Sequence, residues 1–543
     1  MLTRTQRRKG IVFGLLAFAG VSLFVCLAIL ALLGHDPRFS ATHLLTPYTW
    51  RVLQFTLMQA SLSTLLSVGL AIPVALAIAR RPRLPGRKWI LRLMALPMGL
   101  PVLVAALGLI TIWGRQGALN SLLLNLGMSE PVSIYGLGGI LLAHVFFNMP
   151  LACRLMVATL DRLPGEYWML AAGLGMKPFS VVRFIEWPAL ARILPGAAGL
   201  IFMLCATSFT LVLVLGGGPA ATTLEVAIYQ SLRFDFDPPR AIALSLLQIG
   251  LTAVVLGLLS LIPSVDETPP ASGLRVRRFD GRTWWSRLWD GTIIGAATLF
   301  LILPLISLLA AGLQADLARL VSSPAFLSAA STSAAIAASS GLASVFISMA
   351  IISARLAIRD QRRPGQAARG FSVVLAATSS LVLLVPPVVL GTGWFLLLRP
   401  WGDVSRFAPY LVVAINALMA LPFVMRVLEP AAREHHRQTS RLTASLGIRG
   451  LGKFWWIDRP VLLRPALLAL SFAMALSLGD LGAVALFGSN EFVTLPWLLY
   501  SRLSSYRTDD ADGLALILGI LCLALTFLGT SRLGTDRSEH VRG

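Results

Sequence analysis

Charge is scarce in this chain of 543 residues: 13% are Asp, Glu, Lys or Arg, where a soluble chain carries about 25%. Acid is scarcer than base, 25 residues against 46, for a formal net charge of +21. Lysine occurs at only four positions, Lys9, Lys88, Lys177 and Lys453. One of them follows glycines at the spacing of a phosphate-binding loop, Gly447-Ile-Arg-Gly-Leu-Gly452-Lys453-Phe454. Phe454 stands where that loop needs a hydroxyl for Mg²⁺ and no strand precedes it, so no nucleotide site is expected. The four cysteines, Cys26, Cys153, Cys205 and Cys522, lie singly in apolar runs. That excludes a disulfide framework or a thiolate metal centre. No His/Asp/Glu cluster and no nucleophile constellation supports an enzyme, and no cofactor or metal is expected.

Apolar residues are what the chain has in abundance: 56% of it, with a mean hydropathy of +0.77. Soluble cores stop growing near 250–300 residues, so apolar content on this scale belongs in a membrane. A spanning helix needs about 20 mostly apolar residues. Such runs fall near 11–33, 53–79, 91–113, 135–158, 195–217 and 240–262, and again near 291–313, 325–354, 371–398, 408–429, 466–488 and 512–530. The first, at 23 residues, exceeds the 7–15 of a cleavable signal and reads as a retained helix. With both termini cytoplasmic, 36 of the 46 Lys and Arg fall on the cytoplasmic side, as the positive-inside rule requires. The positive surplus therefore points to the lipid bilayer and not to nucleic acid. Compact basic loops such as Arg80, Arg81, Arg83, Arg87 and Lys88, or Arg275, Arg277 and Arg278, read as anchors near anionic head groups.

The chain also repeats itself. An ungapped offset of 272 residues aligns Pro150 with Pro422, Arg154 with Arg426, Gly175 with Gly447 and Pro188 with Pro460. It also aligns Arg192 with Arg464 and Gly216 with Gly488, and sets Glu186 against Asp458. Six spans per copy give both copies the same orientation, a parallel repeat about an axis normal to the membrane. The expectation is an all-α polytopic membrane protein of about twelve helices: a first half 1–262, a cytoplasmic linker 263–290 rich in Pro and Ser, and a second half 291–543. Trp284, Trp285 and Trp289 fit an interfacial belt at the linker's end.

Two basic-side loops, 160–190 and 431–462, are too long for turns and occupy equivalent places. The first runs Leu163-Pro164-Gly165-Glu166-Tyr167-Trp168-Met169-Leu170-Ala171-Ala172-Gly173-Leu174-Gly175 and on to Pro188. The second runs Thr439-Ser440-Arg441-Leu442-Thr443-Ala444-Ser445-Leu446-Gly447 and on to Pro460. Each reads as a short helix, a glycine stop, and a proline thirteen residues later. Pro164 suits the first turn of one helix and Ser440 or Thr439 a cap on the other. Both loops resemble the Glu-Ala-Ala signature of permease subunits of ATP-binding-cassette importers. Met169 and Arg441 sit where that family usually has Glu, with Glu166 one turn earlier.

The resemblance implies a type I importer architecture, two copies of an ATPase subunit docked on these loops, and a periplasmic substrate-binding protein on the other side. It implies that Glu166, Ala171, Ala172, Gly175, Pro188, Arg441, Ala444, Gly447 and Pro460 form the coupling elements. A narrower resemblance, to thiamine permeases, rests on Leu215-Gly-Gly-Gly-Pro219 through Gln230, on Tyr135 through Pro150, and on Ile201 through Cys205. It implies import of thiamine and its phosphates across the inner membrane. Ferric-iron permeases share the fused layout and remain an alternative. A twelve-span secondary transporter is another, but inverted inner repeats and several embedded acids, its usual marks, are not found.

Polar residues within the spans face the bundle or a cavity by default. These are Gln59, His144, Asn148, Gln248, Asn416 and Asp480. His144 stands alone and reads as a packing residue, while His435 and His436 read as solvated. Asp480, between Gly479 and Gly482, is either a cavity carboxylate for a cationic substrate or an acid that satisfies a broken helix. With Tyr229, Trp497 and Tyr500 it makes the candidate translocation path.

Overall fold

The computed structural model describes residues 4–34, 44, 46–115, 117–261, 278–281, 283–360, 365–448, 450–489 and 492–531. Among these the secondary structure is helical, and eleven helices are long and apolar enough to cross a membrane. The main helices are α1 (Arg4–Gly34), α2 (Pro47–Arg80), α3 (Val102–Trp113), α4 (Leu137–Leu160), α5 (Trp187–Ala206) and α6 (Pro238–Ser260). Six more follow: α7 (Trp284–Gln314), α8 (Pro324–Arg359), α9 (Pro387–Leu398), α10 (Ala408–Ser445), α11 (Arg459–Gly479) and α12 (Thr508–Ser531). Their starts follow local chemistry. Thr46, Asp237 and Ser323 each accept a backbone N–H in the first turn, and each precedes a proline at the first helical position.

Proline also explains where the apolar runs break. The run 371–398 divides into Gln366–Leu384 and α9 at Val385-Pro386-Pro387, and the run 91–113 is interrupted at Leu100-Pro101 before α3. A proline cannot donate to the preceding turn, and the residue before it leaves the helical region. The expected ninth run is thus two helices, and the eleven long apolar helices found among the described residues are in keeping with about twelve spans. The linker expected at 263–290 lies largely outside them, and its last residues are already helical because α7 begins at Trp284.

The bundle is held together by an exchange of helices. α1 does not pack on α2; it lies against α8 and α9. α7 lies across α2 and α3 and also touches α12. Glycines make these close crossings feasible. A Cβ at Gly14 would sit 2.2 Å from the Ala354 Cβ, and one at Gly393 would sit 2.4 Å from the Ala28 carbonyl oxygen. At the other crossing, a Cβ on Gly108 would lie 2.6 Å from the Pro304 carbonyl oxygen. Phe24 stacks on Trp394 at 4.7 Å, and Phe300 meets both Trp113 and Phe146 edge-on.

Buried polar groups stitch the spans. Gln59 donates to the Cys205 carbonyl at 2.9 Å, Ser63 meets His144 Nδ1 at 2.8 Å, and Gln248 donates to the Ala206 carbonyl. Asn148 reaches the Cys205 sulfur, and Asn416 donates to Ser477 Oγ at 2.9 Å. Cys205 and Ser477 are mates at the 272-residue offset.

Candidate functional site

Both long basic-side loops share one local geometry. In the first, the helix Gly165–Gly173 ends on Gly175 at φ +60°. The Met176 N–H reaches the Ala171 carbonyl at 2.9 Å and the Gly175 N–H reaches the Ala172 carbonyl at 3.1 Å. That is the hydrogen-bond pair of a glycine-terminated helix. In the second, Gly447 has φ +64° and the Ile448 N–H reaches the Thr443 carbonyl at 3.1 Å.

A π-helical turn follows in each loop, Val182–Glu186 and Phe454–Asp458, again 272 residues apart. The Trp187 N–H bonds the Val182 carbonyl and the Arg459 N–H bonds the Phe454 carbonyl, five residues back. The next residues are Pro188 and Pro460, both exposed. An ordinary turn would drive each ring into the carbonyl four residues earlier, and the widened turn avoids it.

These elements present apolar surface where loops are normally polar. Tyr167, Met169, Leu170, Leu174, Phe179 and Phe184 are exposed along the first, and Leu442, Leu446 and Trp456 along the second. Glu166 and Ala172 are exposed beside them, whereas Ala171 is buried against the body. Contiguous exposed apolar surface marks an interaction site. The second loop departs from expectation in one respect: no separate capped helix forms, because α10 runs unbroken to Ser445. It lacks the Pro164-Gly165 break, and Thr439 and Thr443 bond carbonyls of the preceding turn as mid-helix residues do. Arg441 and Ala444 belong to that helix, and their side chains lie outside the described residues.

Behind the first loop sits a network of ions. Glu186, wholly buried, pairs with Arg278 at 2.7 Å, and the Arg278 guanidinium lies over the Trp168 ring at 4.0 Å. Arg278 also pairs with Asp280 at 2.7 Å. Arg80 and Arg81 both hold Asp290, at 2.9 and 2.8 Å, and Arg80 reaches Asp280 at 3.4 Å. Burial alone would raise the Asp280 carboxyl, but the hydrogen bonds and charge of Arg278, with Arg80, hold it below the usual carboxylate range.

The mate of Glu186, Asp458, instead takes His435 at 2.9 Å and Lys453 at 3.7 Å. His435 is therefore buried and paired rather than solvated, and His436 lies 3.9 Å from Asp360. In each loop an acid just before the proline is held by a cationic or imidazole side chain.

At the opposite end of the spans the candidate path residues gather. Tyr229, on the helix Leu224–Arg233, is buried edge-on to Phe209 and Phe234 at 5.4 and 5.6 Å. Trp497 and Tyr500, on the helix Leu495–Ser504, lie 5.9 Å apart. Arg233 donates to the carbonyl of Gly488, the glycine that packs against Trp497. Asp480 sits at the break between α11 and the short helix Gly482–Phe487, and its carboxylate accepts the Gly482 and Ala483 N–H groups at 3.2 Å each. Gly482 lies between that carboxylate and the Phe209 ring. The mate break, at Thr207-Ser208, holds no acid.

Residues 71–264 match the family described as the binding-protein-dependent transport system inner membrane component. The thiamine transport system permease protein of Brucella abortus (strain 2308) is 47% identical, covering 96% of this chain and 95% of its own. That of Escherichia coli (strain K12) is 44% identical over 88% of each. The chain belongs to the thiamine transport system permease family. It is a multi-pass inner-membrane transport component. A molybdenum transport system permease protein from Mycobacterium bovis is 30% identical over 46% of this chain and 94% of its own.

Two groups in this permease escaped sequence reasoning. The ion network did, because its acids are hidden among arginines that read as anchors. Glu225 did too: it is wholly buried, and among the described residues neither carboxylate oxygen has a hydrogen-bond partner. Its only sequence signal was an acid inside the Leu215–Gln230 segment.

The caps on Asp480 give a direct test of its role. Asparagine keeps a cap and alanine removes it, so Asp480→Ala is expected to lower stability by about 1 kcal/mol and Asp480→Asn by less. Thermal unfolding of the solubilised chain reads this, and equal losses for both would refute capping.

Proposed function

We propose that the chain is the whole membrane path of an ATP-driven importer that carries thiamine into the cytoplasm. Two permease halves, 1–262 and 291–543, are joined by the linker. The carrying observation is the matched pair of coupling elements, each with exposed apolar surface, a left-handed glycine stop and a π-turn into proline. A chain with no phosphate-binding loop needs a partner to supply work, and a rigid element seated in a partner's groove transmits it. Two elements call for two copies of an ATPase subunit. The molybdenum permease, matched almost end to end by just under half of this chain, supports the two-half organisation. The excess of Lys and Arg in the basic loops supports a cytoplasmic position for both termini and both coupling elements. A periplasmic binding protein then delivers substrate to the opposite end.

Thiamine has a fixed thiazolium charge and an aromatic face, which aromatic rings and carboxylates both attract. The Tyr229, Trp497 and Tyr500 layer, with Asp480 and Glu225, offers that lining. Glu225→Gln keeps the shape and removes the ionisable group, so assembly should be normal and thiamine uptake reduced about tenfold, the equivalent of ~1.4 kcal/mol. Unchanged uptake at normal expression would remove Glu225 from the path.

The proposal as a whole is tested in proteoliposomes containing the chain, its ATPase and a thiamine-loaded binding protein. Uptake should require ATP and all three components, and the chain alone should not turn over nucleotide. Uptake driven by an ion gradient without ATP would refute the reading. Preference of the cognate binding protein for ferric iron would replace thiamine as substrate.

A further inference from the structure

A cavity of about 1220 Å³ lies between α2, the helix Arg87–Leu93, the helix Gly165–Gly173 and α7. It exceeds the roughly 300–1,000 Å³ of pockets for drug-sized molecules. None of the candidate path residues lines it. Its two ends differ in chemistry. At the end that carries the basic loops it is lined by Arg80, Arg81, Arg83, Arg87, Arg278 and Arg287, against only Asp161 and Asp290. Arg80, Arg81, Arg87 and Arg278 are committed to the carboxylates already described or to Asp161. Arg83 and Arg287 are exposed at the mouth, and among the described residues they pair with no carboxylate.

The other end is apolar, walled by Ile294, Thr298, Leu299 and Ile302 on one face of α7. Gly291 and Gly295 lie on the same face, and a Cβ on either would meet nothing within 4 Å. From Arg287 to Ile302 α7 rises about 22 Å, enough to run from head-group level through one leaflet of the ~30 Å hydrocarbon core. Leu299 is exposed on the outside of the bundle, so the groove opens sideways. Trp284, Trp285 and Trp289 stand exposed at its head-group end, where interfacial indoles belong.

We propose that this groove is a binding site for one anionic phospholipid, with its phosphate between Arg83 and Arg287 and an acyl chain along α7. A basic mouth continuous with a lipid-deep apolar wall fits that molecule and no compact anion. A zwitterionic lipid would fill the wall and leave the two arginines without a net negative partner. The site adjoins the Arg278–Trp168 contact, so its occupant touches the same elements that brace the first coupling loop. The inference is independent of the transported substrate and is read without transport.

Native mass spectrometry of the full-length chain, washed from micelles containing phosphatidylglycerol or phosphatidylcholine, tests it. The unaltered chain should retain phosphatidylglycerol about thirtyfold better, on the scale of two arginines acting near a head group. Arg83→Ala with Arg287→Ala should bring that preference close to one. Gly295→Phe, which fills open space, should lower retention of both lipids without loss of folding. Equal retention of the two lipids by the unaltered chain overturns the proposal, as does a preference that survives the arginine changes. Displacement of the lipid by millimolar glycerol phosphate would assign the arginines to a soluble anion and overturn it too. A Gly295→Phe chain that retains lipid normally would place the acyl chain elsewhere.

Discussion

Replacing Arg278 with alanine is expected to destabilise the chain by about 3–5 kcal/mol, the cost of stranding one member of a buried ion pair. Glu186 is wholly excluded from solvent, and its near oxygen lies 2.7 Å from the Arg278 guanidinium. Without that charge the carboxylate must either stay ionised in a low-dielectric site or take up a proton, and both cost free energy. The same change uncovers Trp168, on which the guanidinium lies at 4.0 Å, and leaves Asp280 only the longer contact to Arg80 at 3.4 Å among the described residues. The loss should therefore appear twice: as a lower unfolding temperature of the solubilised chain, and as weaker ATPase capture through the loop that Trp168 belongs to.

Glu186→Gln added to Arg278→Ala removes the stranded charge and should recover a large part of the stability. A double-mutant cycle measures that coupling. If Arg278→Ala costs less than about 0.5 kcal/mol, the range of ordinary surface changes, the network does not brace the loop. Acid acts on the network by a separate route. The Asp280 carboxyl is held below its ordinary value. Its contribution is complete above the unfolded value of about 3.9 and is lost only as pH falls through the lower folded value. Neutral and mildly acidic buffers should leave this contribution intact.

How much of this was legible beforehand depends on the range of the interaction. Spans are local, and apolar run length located them because every backbone group in lipid must bond within its own helix. The repeat was also legible: the offset that aligned Gly175 with Gly447 falls on two left-handed glycines and two π-turns. Where local reading missed, the cause was also local. Hydropathy hid the Pro386-Pro387 break inside an apolar run, and loop equivalence concealed that the second loop lacks the Pro164-Gly165 interruption. Long-range facts left only faint traces. Nothing in a run's hydropathy says that α1 packs on α8 and α9, although Gly14 and Gly393 are the residues that permit it. Pairings such as Glu186 with Arg278 join residues 92 apart in number, and a basic linker resembles a membrane anchor until its acids are located.

Valine at both Gly175 and Gly447 should leave insertion intact and reduce uptake by about a hundredfold. Both glycines hold φ near +60°, where a residue with a Cβ is strained by roughly 1–2 kcal/mol, and a β-branched one more. Nothing lies within 4 Å of a Cβ built on either glycine. Any effect is therefore backbone conformation and not collision with a neighbour. Relief of the strain would unwind the stop. In the first loop that breaks the Met176 to Ala171 and Gly175 to Ala172 bonds and re-aims the exposed Leu174 and Phe179. About 1.4 kcal/mol at each loop is tenfold, and the two loops, far apart in sequence and sharing no partner among the described residues, should add. Asparagine tolerates the left-handed region, so Gly175→Asn with Gly447→Asn should retain most of the uptake that valine abolishes. ATPase co-purification and thiamine uptake, measured side by side, decide it. If the asparagine and valine pairs fail equally, the glycines matter for some reason other than φ. If both pairs assemble and transport normally, these loops do not couple the permease to its motor.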